Sequence, residues 1–230
     1  MKEILLWGTK SQAKILHKMI DGGDAGKARV SIIFDPTSNE DCSFSNAPLI
    51  RETDALRQEI SNCTHFVLGI GAEHGAARIK IHSALTALGL DSVSLVSKYA
   101  TLDDITSIGG GLQVMPGAIV HKFTQIGDQC ILNTNCAIDH ECRIGNGVHV
   151  MGGACIAGRV TIGNAVSIGT NATILPDISI GEGAFVGAGA VVTKDVAERS
   201  VVVGIPAKHV RKHEPVFNYD CVEQIACWPK

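Results

Sequence analysis

An aliphatic residue returns at every sixth position from Ile108 to Val192: Ile108, Val114, Val120, Ile126, Leu132, Ile138, Ile144, Val150, Ile156, Ile162, Ile168, Ile174, Ile180, Val186 and Val192. A helix repeats at about 3.6 residues and a strand at about 2, so a period of six belongs to neither and marks an internal repeat. Four places after most of these guide residues stands a second small or medium apolar side chain, as at Ala118, Cys130, Cys136, Cys142, Val148, Ala154, Val160, Val166, Ala172, Ile178, Ala184 and Ala190. The guide is often followed by glycine, at Gly109, Gly127, Gly145, Gly163, Gly169, Gly181 and Gly187, which predicts a corner with φ values that other residues resist. Short strands alternating with corners predict a solenoid, in which coils about 4.8 Å apart stack like positions into apolar columns.

Ahead of the array the pattern changes. Residues 3–8 read as a buried strand closed by Gly8, 11–20 as a helix, 29–34 as a strand ending at Asp35-Pro36, and 53–60 as a helix. Residues 65–70 read as a third strand ending at Gly71, 73–88 as a helix stopped by Gly89, and 92–96 as a short strand leading into the coils. This alternation predicts a parallel α/β sheet of Rossmann-like half size, with its ligand crevice at the strand C-terminal ends. Loops 8–12, 35–36 and 71–73 would line it, and the helix start behind the first loop offers N–H groups to an anion such as a pyrophosphate. There is no G-x-G-x-x-G, however, and a plain α/β domain capping the solenoid is the alternative. The expected division is 1–97 for the α/β domain, 98–212 for the solenoid and 213–230 for a tail of unknown role.

Composition narrows the class. Only 4% of residues are aromatic and 25 are glycine, which suits narrow coils better than a bulky core. A net charge of −3 supplies no attraction to nucleic acid or an anionic membrane. No apolar run approaches a membrane span and no secretory leader is evident, so the expectation is a cytoplasmic protein with reduced cysteines. Of the eight Cys, Cys130, Cys136 and Cys142 fall in the inward column, where a thiol acts as a small hydrophobe.

The [LIV]-G-x-x-[AVC]-x repeat resembles that of the hexapeptide acyltransferases, which implies a left-handed parallel β-helix with three hexads per turn. A small α/β domain ahead of such a solenoid resembles the bacterial nucleotide-amino-sugar N-acetyltransferases and their relatives, the sialic acid O-acetyltransferases. The telling stretches are ILNTNCAIDHECRIG at 131–145, His149, Leu175-Pro176 and GIPAK at 204–208. The resemblance implies His140 as catalytic base, with Glu141 raising its basicity. It implies that acetyl-CoA meets His149, Thr170, Gly187 and Ala188, and that a nucleotide-linked sugar is held by Lys10, Ser11, Gln12, Asp35 and Gly71. It further implies a homotrimer with acetyl-CoA between adjacent solenoids. The first loop, Gly8-Thr-Lys-Ser-Gln-Ala13, departs from the family's Gly-x-x-Gly-His-Gly: Ser11 and Gln12 replace the Gly and His that grip the nucleotide sugar, and Pro36 replaces a common second Asp.

The chemistry also follows from the residues. His140, two places after the inward Ile138, is expected at a corner with its ring outward. Acetyl transfer from a thioester to an amine requires a proton to be removed, imidazole titrates near neutrality, and a carboxylate from Glu141 or Asp139 would stabilise the imidazolium. A backbone N–H, for instance of a coil glycine, would serve the thioester carbonyl. Each residue has a plainer reading: a solvated corner histidine at 140 and a packing residue at a subunit contact at 149, while Lys194 and Lys208 either meet the cofactor phosphates or solubilise a surface. His121, His140 and His149 contain no i, i+4 or i+5 pair, so no metal is expected. The competing functions are O-acetylation of a sialic-acid-like sugar and a non-catalytic scaffold that has kept the fold.

Overall fold

The computed structural model describes residues 1–39 and 41–228; Glu40 and the end of the tail, Pro229 and Lys230, lie outside the described residues. The chain divides into two units. One comprises residues 1–70, 80–95 and the chain from 217 onward; the other comprises 71–79 and 96–216.

The first unit is built on a parallel sheet. Its strands are β1 (Lys2–Trp7), β2 (Ala28–Phe34), β3 (Leu49–Ile50), β4 (His65–Leu68) and β5 (Asp91–Ser92), in the order β3-β2-β1-β4-β5. The central strand is a continuous apolar run, and Ile4, Leu5 and Leu6 are fully buried, as a strand covered on both faces requires. Helix α1 (Ser11–Asp21) turns Ala13, Leu16 and Ile20 inward and leaves Lys14 and Lys18 in solvent. Helices α2 (Thr53–Glu59) and α3 (Gly75–Ala87) follow, the first turn of α3 belonging to the other unit. The strand order reverses between β1 and β4, which is where open α/β sheets form a ligand crevice. β3 carries too few apolar residues to be seen in the sequence.

The predicted strand at 92–96 is two strands. β5 pairs with β4, whereas β6 (Leu95–Val96) begins the solenoid. The tail also has a place. Residues Lys208–Lys212 form a strand antiparallel to Ser200–Val203, closing the solenoid, while α4 (Asp220–Ala226) packs on α2 and sends Val222 and Ile225 into the α/β core. The Lys80 ammonium lies 4.1 Å from the centre of the Tyr219 ring. The contact division therefore runs differently from the sequence division: 71–79 goes with the coils, and the chain beyond 216 goes with the α/β unit.

The second unit is the left-handed parallel β-helix, one two-residue strand per hexad. The first face stacks Gln113–Val114, Ile131–Leu132, His149–Val150, Ser167–Ile168 and Phe185–Val186. The second stacks Thr101–Leu102, Ile119–Val120, Ala137–Ile138, Cys155–Ile156, Thr173–Ile174 and Val191–Val192, and the third Ser107–Ile108, Gln125–Ile126, Arg143–Ile144, Thr161–Ile162 and Ser179–Ile180. Coiling extends past both ends of the predicted 108–192 array, to Leu95–Val96 and to Ser200–Val203. Guide residues and the second column form one buried core. Ile108 is the exception at 47% exposed, because its strand is the edge of the third face and nothing stacks below it. At position 124 the second column holds a hydroxyl: Thr124 Oγ1 donates to the Asp139 carbonyl and accepts the Cys142 amide, so it is buried without loss.

The corners correct one expectation. The glycines directly after the guide residues do not have positive φ; the left-handed conformation falls two places later, at Gly147 and Gly153, but equally at Gln129, Asn135, Glu141, Arg159 and Asp177. Gly127 and Gly181 are required for space, since a Cβ there would overlap the backbone amides of Asn146 and Glu198 in the next coil.

Candidate active site

His140 stands at the corner between the second and third faces. Its Nδ1 lies 2.9 Å from Glu141 Oε2, and its backbone N–H donates to Asp139 Oδ1 at 2.8 Å. A carboxylate only accepts, so Nδ1 carries a proton, and in the neutral ring the lone pair falls on Nε2. Glu141 points its side chain back to His140 from a backbone held at φ 58°. One coil further, Gly158 lies beneath the imidazole: a Cβ there would stand 2.7 Å from Nε2. The next residue, Arg159, forks the Asp177 carboxylate at 2.6 and 2.7 Å. The Arg159 hydrogen bond first, with the charges of Arg159 and His140, holds the Asp177 carboxyl below its ordinary range against desolvation.

His149 lies on the first face and is buried. Its Nδ1 is 3.0 Å from the Ala72 carbonyl, which can only accept, so Nε2 is again unprotonated, and it is sealed from solvent with no hydrogen-bond partner among the described residues. Burial pushes this imidazole down to about 4; the Ala72 bond opposes the shift and the charge of Arg78 adds to it. Arg78 itself is fully buried, donating to the Gln129 carbonyl at 3.0 Å and the Gly147 carbonyl at 2.7 Å, and so pins residues 71–79 to the coils. Desolvation lowers its guanidinium to about 10, which still leaves it charged.

Thr170, Gly187 and Ala188 belong to a different corner, between the first and second faces. Thr170 and Ala188 are exposed, and Gly187 is buried against Val203. The backbone N–H groups of Gly127, Gly145, Gly163, Gly169 and Gly187 all donate to carbonyls of the next coil, so none of them is available to a thioester oxygen.

In the α/β unit, Lys10 and Ser11 are exposed and Gln12 half-buried at the start of α1. Asp35 is buried and accepts five bonds: from the Thr9 amide and hydroxyl, the Thr37 amide and hydroxyl, and the Ser38 amide. Burial raises its carboxyl, but the Thr9 and Thr37 bonds outweigh burial and its pKa lies below the ordinary value. Asp35 thus ties the loop after β1 to the loop after β2. Gly71 is half-buried and belongs to the solenoid unit. Lys194 and Lys208 stand exposed. Among the described residues no group of three His, Cys, Asp or Glu is arranged to hold a metal, and no helix is long and apolar enough to cross a membrane.

Residues 159–194 match the family described as bacterial transferase hexapeptide (six repeats). No match was found among curated proteins. The fold is similar to the acetyltransferase domain of PglB from Neisseria gonorrhoeae, with 26% identity over 91% of this chain and 100% of that one and a TM-score of 0.80. It is similar also to WeeI from Acinetobacter baumannii, with 26% identity over 91% and 100% of the two chains and a TM-score of 0.76. PerB from Caulobacter crescentus, solved in complex with CoA and GDP-perosamine, shares 25% identity over 92% and 98% with a TM-score of 0.77. These likenesses support a hexapeptide-repeat sugar acetyltransferase.

Four residues that the sequence reading passed over shape the surroundings of the two histidines: Arg78, Gly158, Arg159 and Asp177. A usable signal existed for three of them. Gly158 lies eighteen residues after His140, and Arg159 and Asp177 lie eighteen and thirty-six after Glu141, which puts each in the same corner column. Arg78 had none, because its partners are more than fifty positions away.

Proposed function

We propose that this chain transfers the acetyl group of acetyl-CoA to the amine of a nucleotide-linked deoxyamino sugar in bacterial surface-glycan or glycoprotein sugar biosynthesis, with His140 as general base. The observation that carries this reading is the Nδ1 contact to Glu141, which directs the lone pair of the neutral ring to Nε2 at an accessible corner, the side chain being 39% exposed. Acetyl-CoA supplies an activated thioester carbonyl. His140 Nε2 takes the proton that the amine loses as the C–N bond forms, Glu141 stabilises the imidazolium, and the imidazolium returns the proton to the CoA thiolate as the C–S bond breaks. His149 would meet acetyl-CoA once its sealed Nε2 is uncovered, offering that nitrogen as an acceptor to the amide-bearing arm of CoA. Thr170, Gly187 and Ala188 would flank the same arm. Lys10, Ser11, Gln12 and Gly71 would hold the nucleotide, with Asp35 shaping the loops around it.

The working assembly is a homotrimer in the cytoplasm. The outward residues of the second face, Thr101, Ile119, Ala137, Cys155, Thr173 and Val191, include no charge, unlike Arg143 on the third face, so this face suits burial against another copy. The corners bearing His140 and Thr170 border this face on opposite sides, so packing between copies would bring the corner of one chain to the other corner of its neighbour.

The test is a thiol-release assay of amino-sugar nucleotides and free nonulosonic acids with wild type and His140→Ala. Wild type should acetylate a nucleotide-linked amine, and His140→Ala should lose about 10²–10⁴-fold of the rate while keeping its oligomeric state. Full activity in the variant removes His140 from the mechanism, and acetylation of free sugars alone removes the proposed acceptor.

A further inference from the structure

Glu141, Arg159 and Asp177 occupy the same corner position in three successive coils, with φ of 58°, 60° and 62°. Coils lie about 4.8 Å apart, so Arg159 has a carboxylate on either side within reach of its guanidinium. It takes only one of them. Nε and Nη2 fork the two oxygens of Asp177, while Glu141 Oε2 faces His140 Nδ1. A planar guanidinium matches a carboxylate in two parallel bonds, whereas an imidazole offers a single one, so an uncommitted Arg159 would compete strongly for Glu141.

We propose that Asp177 is a positioning residue for the acetyl transfer: by holding Arg159 away, it reserves the Glu141 carboxylate for His140. This rests on the reading of His140 as the base. The Arg159–Asp177 pair is half-exposed on both sides, 50% and 62%, and exposed pairs add little to stability, so its value lies elsewhere. Arg159 responds to both acids: its guanidinium is raised by the hydrogen bond and charge of Asp177 first and by Glu141 last. Asp139 accepts the backbone N–H of His140, and the Lys122 carbonyl on the preceding coil accepts the Glu141 amide.

If Asp177 is neutralised, Arg159 turns to Glu141. His140 then loses the acceptor that sets its tautomer and stabilises its protonated form, and it becomes a weaker base in a less defined orientation. The experiment measures kcat, the KM of each substrate and the kcat/KM–pH profile for Asp177→Asn, Arg159→Gln and the double variant. Asp177→Asn should lower kcat about tenfold to hundredfold, as expected for a mispositioned catalytic group, and move the acid limb of the profile to lower pH. Arg159→Gln should stay within about threefold of wild type, and adding it to Asp177→Asn should restore both the rate and the limb, since the competitor is gone. Equal losses in all three variants, a double variant no better than Asp177→Asn, or an unimpaired Asp177→Asn would overturn the proposal. His140→Ala separates the two readings: if it is inactive and the double variant fails to recover, only the role of Asp177 falls; if it is active, the base assignment falls first.

Discussion

The imidazole of His140 rests over Gly158, one coil along, so closely that a Cβ on residue 158 would stand 2.7 Å from Nε2 and 2.8 Å from Cε1. The atoms it would meet are the end of a side chain that can swing away. Gly158→Ala should therefore leave the thermal midpoint within a few degrees of wild type and lower kcat about a hundredfold by displacing the ring. A variant with unchanged kcat would show that the ring position over Gly158 is not the catalytic one.

His149 makes stability depend on pH. Its imidazole is near 4 in the fold and near 6.5 in the unfolded chain, so between those values the unfolded state binds the extra proton. Stability is complete above about pH 6.5 and lost as pH falls toward 4, by about 3 kcal/mol for this group alone. Denaturant unfolding of wild type and His149→Gln across pH 7 to 4 should show a shallower acid loss in the variant. Parallel curves would mean that the ring is protonated in the folded protein or solvated.

Alkylation separates the cysteines. Burial pushes the Cys130 and Cys136 thiols up to about 12 and Cys142 up to about 11, and each is in the core, whereas Cys155 and Cys227 are exposed. Brief treatment of the native protein with iodoacetamide should modify Cys227, and Cys155 unless a partner chain covers it, with the three inward thiols reacting only after unfolding. Protection of Cys155 in the native oligomer and its release on dilution to monomer would support the second face as the contact.

The two kinds of corner glycine should respond differently to one methyl group. At Gly189, φ is 66° and a Cβ would meet nothing within 4 Å, so Gly189→Ala carries only the backbone cost, about 1–2 kcal/mol. At Gly181 the added atom would overlap the Glu198 backbone, which cannot move without shifting the next coil. Chemical denaturation should rank Gly181→Ala as the more destabilising, up to about 3 kcal/mol.

The rod was legible because its neighbours in space are neighbours in pattern. Ile138 packs between Val120 and Ile156 in adjacent coils, and a column of like residues at a fixed interval announces itself in one dimension. The α/β strands and helices were legible for the same local reason, and the motif around His140 pointed to the corner that holds it. The two-residue β3, the split at 92–96 and the burial of α4 depended on which distant surface was available. So did the contacts that tune the histidines. Ala72 orients His149 across 77 positions, and Arg159 chooses Asp177 over Glu141, both carboxylates lying one coil away. Periodicity determines which residues point inward, because one rule applies to every turn; it leaves open which outward side chains bond, since that depends on reach, charge and competition once the coils have stacked.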